Sequence, residues 1–132
     1  MKVVFDAGVV YAGAGWRGDA YLTLVSLARR RVVAYATVAT LEELRNLVKT
    51  RAFKCRHNPR TILDWYYRTV RLVDPAPLGK PRSRDLKDDP YLACALGTGV
   101  KCIISRDEDL LVLQKPFGIS TITPRGLLAK LH

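Results

Sequence analysis

The sequence predicts an α/β fold, a parallel sheet with helices on both faces in a three-layer α/β/α arrangement, as one domain over residues 1–132. Three observations carry this expectation. Val100 to Ser105 contains Val100, Cys102, Ile103 and Ile104, a run apolar on both faces, as suits a strand covered by helices on both sides. It follows an apolar helical stretch around Leu92 to Leu96, with Gly97 and Gly99 between, so a helix feeds the strand. Lys2 to Phe5 opens the chain as a second short buried strand, and an acid comes soon after each strand, Asp6 and Asp107.

The remaining elements follow in order. Gly8 to Gly18 reads as a glycine-punctuated loop, and Gly13-Ala14-Gly15-Trp16-Arg17-Gly18 fits GxGxxG letter for letter. A dinucleotide fingerprint needs its first Gly at the strand end and an acid closing the second strand; here Gly13 comes late and the second strand ends in Ala36-Thr37. A loop without nucleotide chemistry is therefore preferred. Asp19 can cap a helix reaching about Arg30, with Tyr21, Leu22, Leu24, Val25, Leu27 and Ala28 inward, and Arg29 to Arg31 complement its C-terminus. Val32 to Val38 is the second strand. Thr40-Leu41-Glu42-Glu43 then matches a capping box, opening a helix with a stripe of Leu41, Leu44, Leu47 and Val48.

From Lys49 to Arg71 the chain is helical and basic, broken near His57-Asn58-Pro59. Trp65, Tyr66 and Tyr67 lie among its arginines, either as stacking platforms for unpaired bases or as core and interface residues. Leu72-Val73 is the third strand, and Asp74 to Arg84 is a Pro- and Lys-rich extended connection. Asp89 precedes Pro90, which suits the first position of the next helix. Leu110 to Leu113 forms a helical turn, with Asp109 a possible cap, Ile119 to Ile122 a last strand, and Thr123-Pro124 opens a closing helix through Leu131.

Composition narrows the function. Twenty-two Lys and Arg against twelve Asp and Glu leave a net charge of +10, which points to a polyanionic partner, nucleic acid first, against the alternative of a merely basic surface. No apolar run approaches the roughly 18 residues of a membrane span, and the Met1-Lys2 start lacks a long apolar leader, so no membrane role and a cytoplasmic location are expected. Three cysteines without CxxC spacing read as free thiols. His57 has no ligand companions at zinc spacing.

Four separated segments each deliver an acid to a strand end or a helix start: Asp6, Glu43, Asp89 and Asp107. If the strands are parallel, these ends share one edge of the sheet. Each acid also has an ordinary role open to it, as cap or loop residue. Clustered carboxylates raise one another's pKa and repel, and a hard divalent cation, Mg²⁺ or Mn²⁺, relieves that while bridging to substrate phosphates. With basic flanks to hold a phosphate backbone, the pattern describes a metal-dependent nuclease.

The same residues carry a resemblance. Val4-Phe5-Asp6, Thr40-Leu41-Glu42-Glu43-Leu44, the block from Arg84 through Asp88, Asp89 and Pro90 to Ala93, Ser105-Arg106-Asp107-Glu108-Asp109-Leu110-Leu111, and Ile122-Thr123-Pro124 together resemble the PIN domain family, in particular its toxin-like, VapC-type ribonucleases of toxin–antitoxin pairs. The resemblance implies a Mg²⁺- or Mn²⁺-dependent endoribonuclease with Asp6, Glu43, Asp89 and Asp107 as catalytic acids. It implies a metal held by Asp6, Asp89 and Asp107, with Asp109 as a further ligand, and support from Ser105, Thr40 and Asp88. RNA would run along Lys49, Arg51, Arg82, Arg84 and Arg106. A homodimer and an antitoxin partner are implied as well. Where the family usually has Thr-Asn after the first Asp, this chain has Ala7-Gly8; Arg106 stands where a Gly is common, and Leu86 replaces a frequent Pro. Two other readings accompany this one: a PIN-like domain that binds nucleic acid or a partner without cutting, and a nucleotide-binding or phosphoacceptor domain using Gly13 to Gly18 or Asp6.

Overall fold

Strand β1 (Lys2–Phe5) sits in the middle of the sheet because Val3, Val4 and Phe5 are apolar on both faces and need cover on both. In the computed structural model, which describes residues 1–51, 58–80, 89–113 and 115–132, its neighbours are β2 (Val33–Ala36) and β4 (Cys102–Ile104). The short strands β3 (Arg71–Leu72) and β5 (Ser120–Ile122) form the edges, giving the order β3-β2-β1-β4-β5 with every pairing parallel. The described residues form seven α-helices: α1 (Ala7–Gly15), α2 (Asp19–Ala28), α3 (Val38–Thr50), α4 (Pro59–Thr69), α5 (Asp89–Thr98), α6 (Glu108–Leu111) and α7 (Pro124–Lys130). From β1 the chain steps outward through β2 to β3, then crosses back to β4 and out to β5. The order therefore reverses between β1 and β4, the switch point at which open α/β sheets bind ligands.

The expected loop at Gly8 to Gly18 is instead a helix followed by a short turn. Val9, Val10, Tyr11 and Ala14 of α1 are buried, and that burial outweighs the low helix propensity of its glycines. Gly13 marks where α1 and α2 come closest: a Cβ there would lie 2.6 Å from the Leu24 Cδ1 and 3.0 Å from the Ala20 carbonyl oxygen. The GxGxxG pattern is thus accounted for by helix packing, with Gly18, rather than Asp19, in the capping position of α2. The inward face of α2 is also rotated from the expected one. It buries Ala20, Thr23, Leu24, Ser26 and Leu27, while Leu22 is 47% exposed. The two hydroxyls tolerate burial because each donates within its own helix, Thr23 to the Ala20 carbonyl at 2.7 Å and Ser26 to the Leu22 carbonyl at 3.1 Å.

Helix α3 begins earlier than its apparent capping box. Thr37 is the N-cap: its hydroxyl accepts the Thr40 N–H at 3.3 Å, and Thr40 returns the favour by accepting the Thr37 N–H at 3.0 Å. Thr40 is thus the third helical residue, and Glu43 lies a turn further in, relieved of any capping role. Asn58 caps α4, its side chain accepting the Arg60 N–H at 3.0 Å. Tyr66 of α4 is core, meeting Phe5 edge to face at 6.4 Å, and Trp65 and Tyr67 are half-buried, with the Arg45 guanidinium 5.1 Å from the Tyr67 ring centre. These aromatics are used in packing. Cys94 and Cys102 are buried free thiols, and Cys55 lies outside the described residues. No helix among the described residues is long and apolar enough to cross a membrane.

Helix α5 starts at Asp89 itself, so Pro90 is its second residue, and it continues through Gly97 to Thr98. Gly99, at φ +70°, supplies the left-handed residue that ends it. Gly97 has a different task, since a Cβ there would lie 2.5 Å from the Asp74 carbonyl oxygen of the proline-rich connection. Gly97→Ala is expected to destabilise the protein by about 1–3 kcal/mol, because backbone must move to admit one methyl group. A urea unfolding midpoint equal to that of the wild type would contradict this contact.

Candidate functional site at the sheet switch point

The register determines which side chains meet. Phe5 pairs with Ile104, so the next residues along, Asp6 and Ser105, leave the sheet side by side. The Asp6 N–H donates to the Ile104 carbonyl and the Ser105 N–H to the Ile122 carbonyl, both at 2.9 Å, which fixes the two strand exits against each other. The Ser105 hydroxyl donates to the Asp6 Oδ2 at 2.7 Å and accepts the Asp107 N–H at 2.9 Å. One fully buried serine therefore bonds the Asp6 carboxylate and the backbone that carries Asp107. Asp6 is also the N-cap of α1, its Oδ1 accepting the Gly8 N–H at 3.4 Å. Asp107, rather than Asp109, caps α6, accepting the Asp109 N–H at 2.9 Å.

Tyr91 of α5 enters the same site. It is fully buried, and its hydroxyl accepts the Ala7 N–H at 3.1 Å, a donor that the first turn of α1 cannot satisfy internally. The charges of Asp6 and Glu43 both act on this hydroxyl, which places their carboxylates near it. The motifs in the sequence assign Tyr91 no role. The signal was there in the stretch Pro90-Tyr91-Leu92-Ala93-Cys94-Ala95-Leu96, where a single phenol stands in an apolar helix face and needs a polar partner once buried.

The electrostatics follow from burial. Desolvation raises the pKa of Asp6, and the nearby Asp107 charge raises it further, opposed by the hydrogen bonds from Ser105, the Gly8 amide and Tyr91. Burial also pushes the Tyr91 phenol well above its ordinary range, with the charges of Asp6 and Glu43 adding to the effect, so it remains a protonated donor at neutral pH.

Of the acids expected from sequence, the fold brings Asp6 and Asp107 together through Ser105, and the charge of Glu43 reaches the Tyr91 hydroxyl that bonds the start of α1. Asp89 lines a cleft of about 570 Å³ with Thr37, Ala39, Pro75 to Leu78, Pro90 and Ala93, towards the β2–β3 side of the same sheet edge. Asp109 follows Asp107 in the first turn of α6, and Thr40 is engaged in capping α3. Lys49, Arg51 and Arg106 are exposed. Asp88, Arg82 and Arg84 lie outside the described residues, as does His57.

No group of three or more His, Cys, Asp or Glu side chains that could hold a metal ion occurs among the described residues. The donor set that is present is nonetheless suited to a hard cation. It consists of oxygen atoms only, and Mg²⁺ is commonly held by one or two carboxylates with waters and substrate phosphates completing its shell. Asp6, desolvated and facing a second negative charge, is a carboxylate that a cation would relieve.

A PIN domain family model matches residues 2–109 of the chain. No curated protein matches it. Among solved structures, the chain is similar to PAE2754 from Pyrobaculum aerophilum, with a TM-score of 0.65 and 20% identity over 99% of this chain and 89% of that one. It is also similar to VapBC2 from Rickettsia felis, solved bound to a DNA fragment from their promoter, with a TM-score of 0.67 and 12% identity over 93% of this chain and 98% of that one. At such identities the two structures bear on the fold, which they share with this chain.

Proposed function

The chain belongs to the PIN domain family, and from that premise we propose that it is a divalent-metal-dependent endoribonuclease acting as the toxin of a toxin–antitoxin pair. The observation that supports this best is the Asp6–Ser105–Asp107 arrangement at the switch point, where one buried hydroxyl bonds the Asp6 carboxylate and the Asp107 backbone N–H.

In this reading Asp6 and Asp107 would hold Mg²⁺ or Mn²⁺, with Asp89 and Asp109 as further oxygen donors. The ion, when bound, neutralises charge on the phosphodiester and makes water a better nucleophile. The protein's own part is positional. Ser105 fixes the Asp6 carboxylate and the start of α6, the caps on α1 and α6 hold both acids at the sheet edge, and Glu43 is the acid available to orient the attacking water. Lys49, Arg51, Arg82, Arg84 and Arg106, on a chain of net charge +10, hold the RNA backbone. The likeness to VapBC2 supports a protein partner, an antitoxin, and the family resemblance implies a homodimer.

The test is RNA cleavage with Mn²⁺ or Mg²⁺ by the wild type and by Asp107→Asn. The variant is expected to lose at least about a hundredfold in rate, and chelation of the metal should abolish cleavage by the wild type. Equal rates for the two proteins, or a metal-independent rate, would leave a domain that binds RNA or a partner without cutting. The nucleotide-binding alternative has lost its loop, because Gly13 and Gly15 lie within α1.

A further inference from the structure

The environment of Tyr91 is more specific than packing requires. Its oxygen takes the Ala7 N–H at 3.1 Å from a residue 84 positions away in sequence, and this engages a lone pair. The single hydroxyl proton is then left for the carboxylates whose charges act on it, that of Asp6 at the N-cap of α1 and that of Glu43 more than a turn into α3. A phenol has one proton to give, so it can serve only one of the two at a time. Phenylalanine would fill the same buried volume, so the hydroxyl is there for its polar partners. The position after Asp6 is Ala7, which brings no polar side chain to the pocket, and the phenol reaches in from α5 to bond its amide.

We propose that Tyr91 is a positioning residue of the acidic site, a hydroxyl bracket that holds the Glu43 carboxylate beside Asp6 and pins the start of α1, so that the oxygen donors are arranged before a cation arrives. This rests on the metal-dependent reading of the site. Tyr91 acts through Asp6 and Glu43 and need not touch substrate. Its removal should therefore weaken metal binding and turnover while leaving the affinity for RNA intact.

The experiment compares wild type, Tyr91→Phe, Glu43→Gln and the double variant. It measures Mn²⁺ affinity directly by calorimetry on RNA-free protein, then kcat and KM for RNA at saturating Mn²⁺. Tyr91→Phe is expected to weaken Mn²⁺ binding by about 10-fold or more and to lower kcat, with KM changed less than about twofold. In the Glu43→Gln background the same substitution should cost much less, because the carboxylate it positions is gone. Wild-type Mn²⁺ affinity and kcat in Tyr91→Phe would overturn the proposal even if its melting temperature falls, since that outcome assigns the hydroxyl to folding alone. Equal and additive losses in both backgrounds would also overturn it. Should Tyr91→Phe fail to fold, hydrogen exchange of the Ala7 amide in the wild type decides: protection retained on adding Mg²⁺ supports the bracket, and protection lost overturns it. Failure of the wild type itself to bind Mn²⁺ would instead count against the metal-dependent reading, a result separable from every variant outcome.

Discussion

Asp6→Asn is expected to abolish RNA cleavage and at the same time to make the metal-free protein more stable. Asp6 is only 9% exposed, its ionised form is penalised by burial, and Asp107 adds repulsion. Asparagine keeps the shape but has one acceptor oxygen where the carboxylate uses two; turned to Ser105, it keeps the 2.7 Å bond and gives up the long 3.4 Å bond from the Gly8 N–H. Relief of the buried charge should contribute about 0.5–2 kcal/mol, a few degrees in Tm, at neutral pH. The sign of the pH dependence follows from the raised pKa. Because the native pKa of Asp6 lies above its ordinary value of 3.8, the wild type keeps its full stability below that pH and loses part of it as pH rises through the native value. The advantage of Asp6→Asn should therefore be absent in acid and grow towards neutrality. Metal reverses the ranking: at an ion concentration a hundredfold above the dissociation constant, the wild type gains about 2.7 kcal/mol and the variant little. Thermal melts at several pH values, with and without Mg²⁺, check both halves, and a variant less stable than the wild type at neutral pH without metal would contradict the electrostatic account of this residue.

Ser105→Ala is expected to damage stability and turnover together. Ser105 is fully buried, and its hydroxyl is both the donor to Asp6 at 2.7 Å and the acceptor for the Asp107 N–H at 2.9 Å. Alanine leaves a desolvated carboxylate short of a donor and a backbone N–H without its acceptor. A lost hydrogen bond to a charged group costs about 1.5–3 kcal/mol, so the unfolding midpoint should fall clearly. Cleavage should fall by about 10- to 100-fold, because the Asp6 carboxylate and the backbone that carries Asp107 lose the group that bonds both. The stability loss should shrink when Asp6→Asn is already present, since a neutral amide demands less of its neighbour. A Ser105→Ala protein with wild-type stability and rate would show that the serine merely fills space.

How far the site could be read in advance differs from residue to residue. Asp6 and Asp107 were legible because an acid just past a doubly apolar strand is a local pattern, and parallel strands carry such residues to one edge. Glu43 was legible as an acid near a helix start, but its capping role was misassigned, because Thr37 and Thr40 can each begin a helix and only the exit of β2 at Ala36 selects Thr37. Helix α1 was hidden by its glycines, which weaken a helix in isolation yet allow the approach of α2 at Gly13. Tyr91 offers only the general signal of a phenol in an apolar helix face, because its partner, the Ala7 amide, lies 84 positions away.

The sequence by itself determined the alternation of helices and strands apart from α1, the double-sided burial that makes the sheet parallel, and the delivery of carboxylates to strand ends, all of which are encoded within a few neighbouring residues. Tertiary structure decided which of those carboxylates share a site. The Ser105 bond to Asp6 spans 99 positions and the Ala7 bond to Tyr91 spans 84. Such meetings depend on strand register and on how helices seat against the sheet, and these are fixed only when the whole core packs at once.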